Sequence, residues 1–180
     1  ANAGEVSLED APFMMNDYMG PSLDTTIFAT TWLIYLFAKH PEQWQRLRDN
    51  PALIPSAINE AVRLESPIQN FSRYVAKDVE IGGVTLPAGS RVIVSYGSAN
   101  RDERKWSNPE EFDILREDAN DHLGFGHGEH NCVGKNLARL EMRALLTELL
   151  PRVERFELHS AEPFLNNVLH GLASCRVTAH

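Results

Sequence analysis

Between His122 and Gly134 the chain reads HLGFGHGEHNCVG, setting one thiol, Cys132, among His122, His127 and His130 and among Gly124, Gly126, Gly128 and Gly134. Cysteine and histidine are the usual ligands of structural zinc, held as a tetrahedral set. Against zinc, the stretch has no C-x-x-C pair and no second cysteine. A cysteine beside a histidine base is a nucleophile only when the two meet in hydrogen-bonding geometry. Closeness in sequence does not establish that. A plain glycine-rich turn around a buried cysteine has at least equal weight on these residues alone, because free cysteine packs like a small apolar side chain.

The remaining chemistry is a haem thiolate. A porphyrin is a flat disc, so the loop that ligates it must approach closely over several residues. Gly126, Gly128 and Gly134 allow that approach and permit positive backbone angles. Cys132 stands at the mouth of a helical pattern, where backbone N–H groups favour a thiolate and tune its donation toward iron. His130 is placed to reach a haem propionate, and Phe125 to pack beside the sulfur.

The elements that must position this loop follow from periodicity. Ser7 with Glu9 and Asp10 marks a helix start, and apolar residues recur from there to Phe37, about 45 Å of helix at 1.5 Å per residue. Pro21 interrupts the pattern and predicts a kink, since it cannot donate to the Asp17 carbonyl. HPEQWQRLRDN and PSAINEAVRLESP read as two further helices, opened by Pro41 and closed by Pro67 respectively. From Phe71 the period becomes that of strands: FSRYVA, then VEI before the Gly82–Gly83 turn, then RVIVSY. A loop-rich stretch runs from Gly97 to Gly134, and Val133 to Leu150 returns to a strong helical period. VERFEL and CRVTAH close the chain as strands, with NNVLHGLAS as a turn region between them.

Composition bounds the rest. The 180 residues are 43% hydrophobic, enough for one core, and 25 acids against 17 bases leave a net charge of −8. No basic run interleaved with aromatics points to nucleic acid. The longest apolar run, TIFATTWLIYLFA, falls short of the roughly 20 residues a membrane span needs, so no membrane is expected. The N-terminus lacks the basic and apolar regions of a signal peptide. Two distant cysteines suggest no disulfide framework, and a cytoplasmic setting is expected. The chain opens at ANAGEVSLED without methionine, the expectation for a piece of something longer.

Phe125 to Gly134 fills every restricted position of F-x-x-G-x-(H/R)-x-C-x-G and resembles the haem-binding signature of the cytochrome P-450 family. EAVR, with Glu60 and Arg63 three apart on one helix face, is similar to the family's E-x-x-R motif. A basic residue of the meander joins that pair in the family. The usual position, in NPEEF, is taken here by Glu111, leaving Arg116 and His122 as the substitutes. PSLDTT resembles the oxygen-binding groove, with Asp24 and Thr25 as its acid–alcohol pair and Pro21 and Ser22 in place of the small residue and glycine. SANRDERKWSNPEEFD resembles the meander of bacterial members, and Arg73 stands where they carry an arginine to a propionate.

The resemblance implies a mainly α fold with small β-sheets, the C-terminal half of the P-450 fold, with residues 1–180 as a single partial domain. It implies haem b bound by Cys132 as the metal ligand, with His130, Arg73, Phe125, Gly126 and Gly134 around it. It implies a monooxygenase that inserts one atom of O2 into a small, largely apolar substrate, with Asp24 and Thr25 delivering protons. Electrons would come from a ferredoxin-type donor meeting Lys135 and Arg139. Substrate contacts are expected at Phe28, Ala29, Ile68, Phe71, Leu169 and Leu172, in a lining like that of members acting on compact aromatic or terpenoid molecules. The alternatives are a haem-thiolate peroxygenase, which the Asp24–Thr25 pair argues against, and a zinc-stabilised binding module.

Overall fold

The computed structural model describes residues 6–180. Ser7 to Asp10 form a turn rather than the helix start expected there. The Ser7 hydroxyl donates to Asp10 Oδ2 at 2.6 Å and accepts the Asp10 N–H at 2.9 Å. Helix α1 follows as Ala11–Lys39. Pro21 lies inside it, and the helix continues through as one 29-residue element. A lone proline removes one helical hydrogen bond and leaves its neighbours. Two hydroxyls turn back on this stretch: Ser22 Oγ donates to Met19 O at 2.9 Å, and Thr25 Oγ1 to Pro21 O at 2.7 Å. The C-terminal half of α1 buries Phe28, Ala29, Trp32, Leu33, Leu36 and Phe37 at helical spacing. Its N-terminal half leaves Phe13, Tyr18 and Leu23 exposed.

Helix α2 (Pro41–Asp49) is short and held by one anchor. Trp44 packs between Phe37 and Phe156, at 5.0 and 4.8 Å between ring centroids, and its indole N–H donates to Val153 O at 3.2 Å. Burial of a side chain this large contributes about 3 kcal/mol. A 3-10 turn at Pro51–Leu53 leads into α3 (Ile54–Glu65), in which every residue from Ala57 onward is buried. A helix surrounded on all sides is the centre of its fold. It ends at Ser66, whose φ of +33° is left-handed and whose N–H closes on Val62 O.

Among the described residues the sheets are three antiparallel pairs. Strand β1 (Asn70–Tyr74) pairs with β4 (Arg91–Ser95), and β2 (Val79–Ile81) with β3 (Val84–Leu86) across the Gly82–Gly83 turn. A short helix α4 (Tyr96–Ala99) opens the expected loop-rich stretch, which contains only the 3-10 turns Ala119–Asp121 and Gly128–His130. Helix α5 (Lys135–Leu149) follows. The closing hairpin pairs β5 (Phe156–Phe164) with β6 (Gly171–Ala179), longer strands than VERFEL and CRVTAH suggested. Register shifts at Leu158/Ser160 and Glu162/Pro163 break the alternation by which a strand is read.

Two apolar clusters hold these elements. The larger joins α1, α2, α3 and α5 with Phe112, Ile114 and Phe156. The smaller joins Phe28 and Trp32 of α1 to Leu172 of β6, with Leu169 alongside. Among the described residues no helix is long and apolar enough to cross a membrane.

Candidate functional site

The cysteine loop is laid directly on α3, and Gly124 is the reason. A Cβ at Gly124 would stand 2.7 Å from Val62 Cγ1 and 3.1 Å from the Val62 carbonyl. Beyond it, Gly126 and Gly128 take φ of +71° and +73°, the left-handed region open to glycine. The Cys132 N–H donates to Phe125 O at 2.8 Å, and the Asn131 amide donates to Gly126 O at 3.0 Å, closing the loop on itself. Gly134 is the N-cap of α5, at φ −83°, with the Cys132 sulfur 3.9 Å from where its Cβ would be. The Cys132 side chain is exposed at the end of this scaffold. Glycines thus supply the approach and the turns, and one thiol is presented.

Phe125 lies between two groups whose roles the sequence did not disclose. The Arg139 guanidinium sits 4.9 Å from its ring centroid, and the His122 ring 5.4 Å away. Arg139 also donates to Asn59 Oδ1 at 2.8 and 3.1 Å and to Asn120 Oδ1 at 3.0 Å. Expected to face an acidic partner, it is instead turned toward α3 and the loop, and burial lowers its pKa.

His122 accepts the Gly124 N–H on Nδ1 at 2.9 Å, so the neutral ring carries its proton on Nε2, a buried atom with no partner. Burial, with repulsion from Arg139 and Arg63, pushes its pKa down from 6.5 to about 4. The unfolded chain therefore takes up a proton near the ordinary histidine value while the folded chain does not. Stability falls as pH drops through that window, by about 3 kcal/mol in total. Thermal melting followed from about pH 7 down to about pH 4 should show this slope in the native protein and a shallower one in His122→Gln. Equal slopes would assign the effect to another group.

The Glu60–Arg63 pair is fully buried and fully bonded. Arg63 Nε and Nη2 donate to the two Glu60 oxygens at 2.7 and 2.9 Å. Its other N–H groups reach Asn100 O, Pro109 O and Glu111 O at 2.7, 2.8 and 3.1 Å. The third member is Arg116, whose Nε lies 3.1 Å from both Glu60 oxygens, and not His122. Glu111 enters only through its carbonyl. Asn100 carries the network to the loop, accepting the Leu123 N–H on Oδ1 at 2.7 Å.

The remaining expected residues fall in two groups. Arg73, on β1, donates to Tyr96 Oη at 3.1 Å and is otherwise exposed; His130 is exposed in its 3-10 turn. Asp24 is exposed on α1 beside Thr25, whose hydroxyl donates to Pro21 O. Of the substrate candidates, Phe28, Ala29 and Leu172 are buried in the two clusters. Ile68 and Leu169 form an isolated antiparallel bridge and are half-buried. Phe71 is exposed, edge-on to Tyr96 at 6.2 Å.

Among the described residues no three of His, Cys, Asp and Glu are grouped to hold a metal ion, so the loop offers zinc no ligand set. The donors do suit haem b: one accessible thiol on a glycine-built approach, with two exposed nitrogen donors, His130 and Arg73, for carboxylates.

The family profile described as "Cytochrome P450" matches residues 1–169. The chain is 41% identical over 177 residues to "Cytochrome p450 CYP199A2" of Rhodopseudomonas palustris, covering 97% of this chain and 42% of that one. It is 39% identical over 155 residues to "Linalool 8-monooxygenase" of Pseudomonas putida, covering 86% and 39%. Among solved structures, that of CYP109E1 from Bacillus megaterium in complex with corticosterone superposes with a TM-score of 0.93 at 30% identity, over 99% of this chain and 49% of that one. The chain spans less than half the length of each of these relatives. With its cysteine loop, its buried glutamate–arginine network and its mixed fold of helices and small sheets, the chain belongs to the cytochrome P450 family, whose cofactor is haem b.

Proposed function

We propose that the complete protein is a haem-dependent monooxygenase that inserts one atom of O2 into a small, largely apolar molecule. The observation that carries this reading is the cysteine loop, which presents an exposed Cys132 thiol on a scaffold closed by the Cys132 N–H to Phe125 O bond of 2.8 Å. When bound, haem supplies an oxygen-activating iron whose reactivity is set by the electron donation of a cysteine thiolate.

The residues of this chain supply the rest. Cys132 would hold the haem iron through its sulfur, and the Phe125 carbonyl and Asn131 amide fix the backbone that aims it. His130 and Arg73 would hold the haem propionates, with Arg73 steadied by its hydrogen bond to the Tyr96 hydroxyl. On α1, Thr25 spends its proton on Pro21 O and keeps its lone pairs free to accept one from water. Asp24, one residue earlier and exposed, would pass protons from solvent to that hydroxyl, and rotation of the O–H away from Pro21 would let Thr25 donate in turn. Ile68, Leu169 and Phe71 offer apolar surface to the substrate. The linalool-oxidising relative supports a terpenoid-sized substrate. A ferredoxin-type protein delivers the electrons, and the setting is the cytoplasm.

Turnover of a panel of small aromatics and terpenes under isotope-labelled O2 tests the reaction: one labelled oxygen should appear in the product. Thr25→Ala tests the proton path. That variant should bind haem and substrate normally, while product per electron pair falls about tenfold or more and hydrogen peroxide rises to match. Coupling equal to the native protein's would move the role to another alcohol, Ser22 first.

A further inference from the structure

The turn between β5 and β6 is tied to the rest of the molecule more firmly than an exposed hairpin turn requires. Within it, Asn166 Oδ1 accepts the N–H groups of Val168 and Leu169 at 2.8 and 2.9 Å. Outward, the Gln69 N–H donates to Val168 O at 2.8 Å, and the His170 N–H to Pro67 O at 2.9 Å. These bonds flank the Ile68–Leu169 bridge. Directly after the turn, Gly171 lies against Phe28 so closely that a Cβ would stand 2.1 Å from its ring. The turn can neither lift from the Pro67–Gln69 segment without losing backbone bonds nor press further onto α1.

His170 is where these restraints meet. Its ring stacks on the Trp32 indole, 4.8 Å between centroids with 22° between planes, and its carbonyl accepts the Trp32 indole N–H at 3.2 Å. Its Nε2 is 2.9 Å from Glu65 Oε2, at the end of α3. Glu65 is largely buried, and its carboxylate also has the Arg101 guanidinium at 3.9 Å. Arg101 is itself fixed by the Leu64 carbonyl at 2.6 and 3.0 Å. The two contacts of the imidazole restrain different motions. A stack resists tilting and separation but permits sliding in the ring plane. A hydrogen bond to a carboxylate resists sliding but permits rotation about its axis. Together they hold the ring, and with it the backbone of the turn, in one place.

We propose that His170 is a positioning residue for substrate selection: clamped between Trp32 and Glu65, it fixes where Val168 and Leu169 stand relative to Ile68 and so sets the size of molecule the site accepts. The inference rests on the reading of Ile68 and Leu169 as substrate-facing. A rigid wall discriminates between homologues by the steric cost of each added methylene, whereas a wall that yields spreads that cost over small displacements.

The test uses the complete haem-loaded protein and a series of n-alkylbenzenes, toluene to n-hexylbenzene, titrated by the spin-state change in the absorption spectrum. His170→Phe keeps the stack on Trp32 and loses the Glu65 bond. His170→Gln keeps an amide donor for Glu65 and loses the stack. His170→Ala loses both. The native protein should show a sharp size cut-off. The Phe and Gln variants should each lower the preference for the best homologue over the largest by about tenfold, and the Ala variant by more. Haem content and the thiolate spectrum should stay unchanged. Leu169→Phe separates the proposal from its premise, and should move the cut-off to smaller homologues. If Leu169→Phe moves the cut-off and all three His170 variants keep the native preference, the clamp is overturned and the substrate-facing reading stands. If Leu169→Phe changes nothing, that reading fails and the proposal with it. Loss of haem in the His170 variants, with native selectivity in what remains loaded, also overturns the proposal, since it marks a role in the fold alone.

Discussion

Cys132→Ser in the complete protein should abolish the red-shifted Soret band of the reduced carbonyl complex. A serine hydroxyl keeps its proton near neutrality and is a hard oxygen donor, where the assigned role needs a soft, charged sulfur. The replacement is well isolated in this structure. The bonds that close the loop run through the Cys132 N–H, the Phe125 carbonyl and the Asn131 side chain, and none of them uses the sulfur. The loop therefore keeps its shape, and loss of the band reports the ligand. Cys175 cannot stand in. It lies on β6 opposite Ala161, half-buried, and burial raises its thiol pKa. Cys175→Ser should leave the band in place. A native band in Cys132→Ser, or its loss in Cys175→Ser, would sink the assignment of Cys132 as the thiolate ligand.

The parts of this molecule that sequence made legible are those whose causes are local. Helix α3 is bracketed by Pro55 and Pro67, and α5 follows a glycine cap with a sustained helical period, so both were readable at once. The β2–β3 hairpin was marked by its two glycines. Local rules were weaker where two effects compete. Pro21 marked a fault in an otherwise continuous helical pattern, and α1 runs through it as one element, its apolar face from Phe28 to Phe37 anchoring the C-terminal half. Tertiary partners were legible only as alternatives or not at all. The family resemblance left Arg116 and His122 as candidates for the third member, and only the folded chain, which brings Arg116 from 56 residues away onto Glu60, decides between them. Gly124 looks like any glycine of the loop until Val62 is seen beneath it. His170 reads as a solvated turn residue, and only the folded chain brings it to Trp32 and Glu65.

Replacing Arg63 should cost far more than replacing Arg116, although both touch Glu60. Arg63→Met removes five hydrogen bonds and strands three carbonyls, those of Asn100, Pro109 and Glu111, around a side chain with no exposure. Breaking a buried ion pair from one side costs about 3–5 kcal/mol. Arg116→Met leaves Glu60 with both Arg63 contacts and the Asp113 N–H at 3.1 Å. The other bonds lost go to Ser107 O and Asn108 O, in exposed surroundings where water replaces them. A cost of about 1–2 kcal/mol is expected. Urea unfolding of the complete protein measures both, and equal costs would show that Glu60 depends on Arg116 as much as on Arg63. The double variant Glu60→Leu with Arg63→Met adds a sharper test. For an isolated buried pair, replacing both partners by apolar residues is often neutral. Here the three carbonyls stay unpaired, so the double variant should remain destabilised by about 3 kcal/mol or more. The damage should also reach the cysteine loop. Asn100 is held from one side by Arg63 and holds Leu123 on the other, one residue before Gly124. Arg63→Met should therefore release haem at a urea concentration where Arg116→Met still retains it, and identical release curves would disconnect the buried pair from the loop.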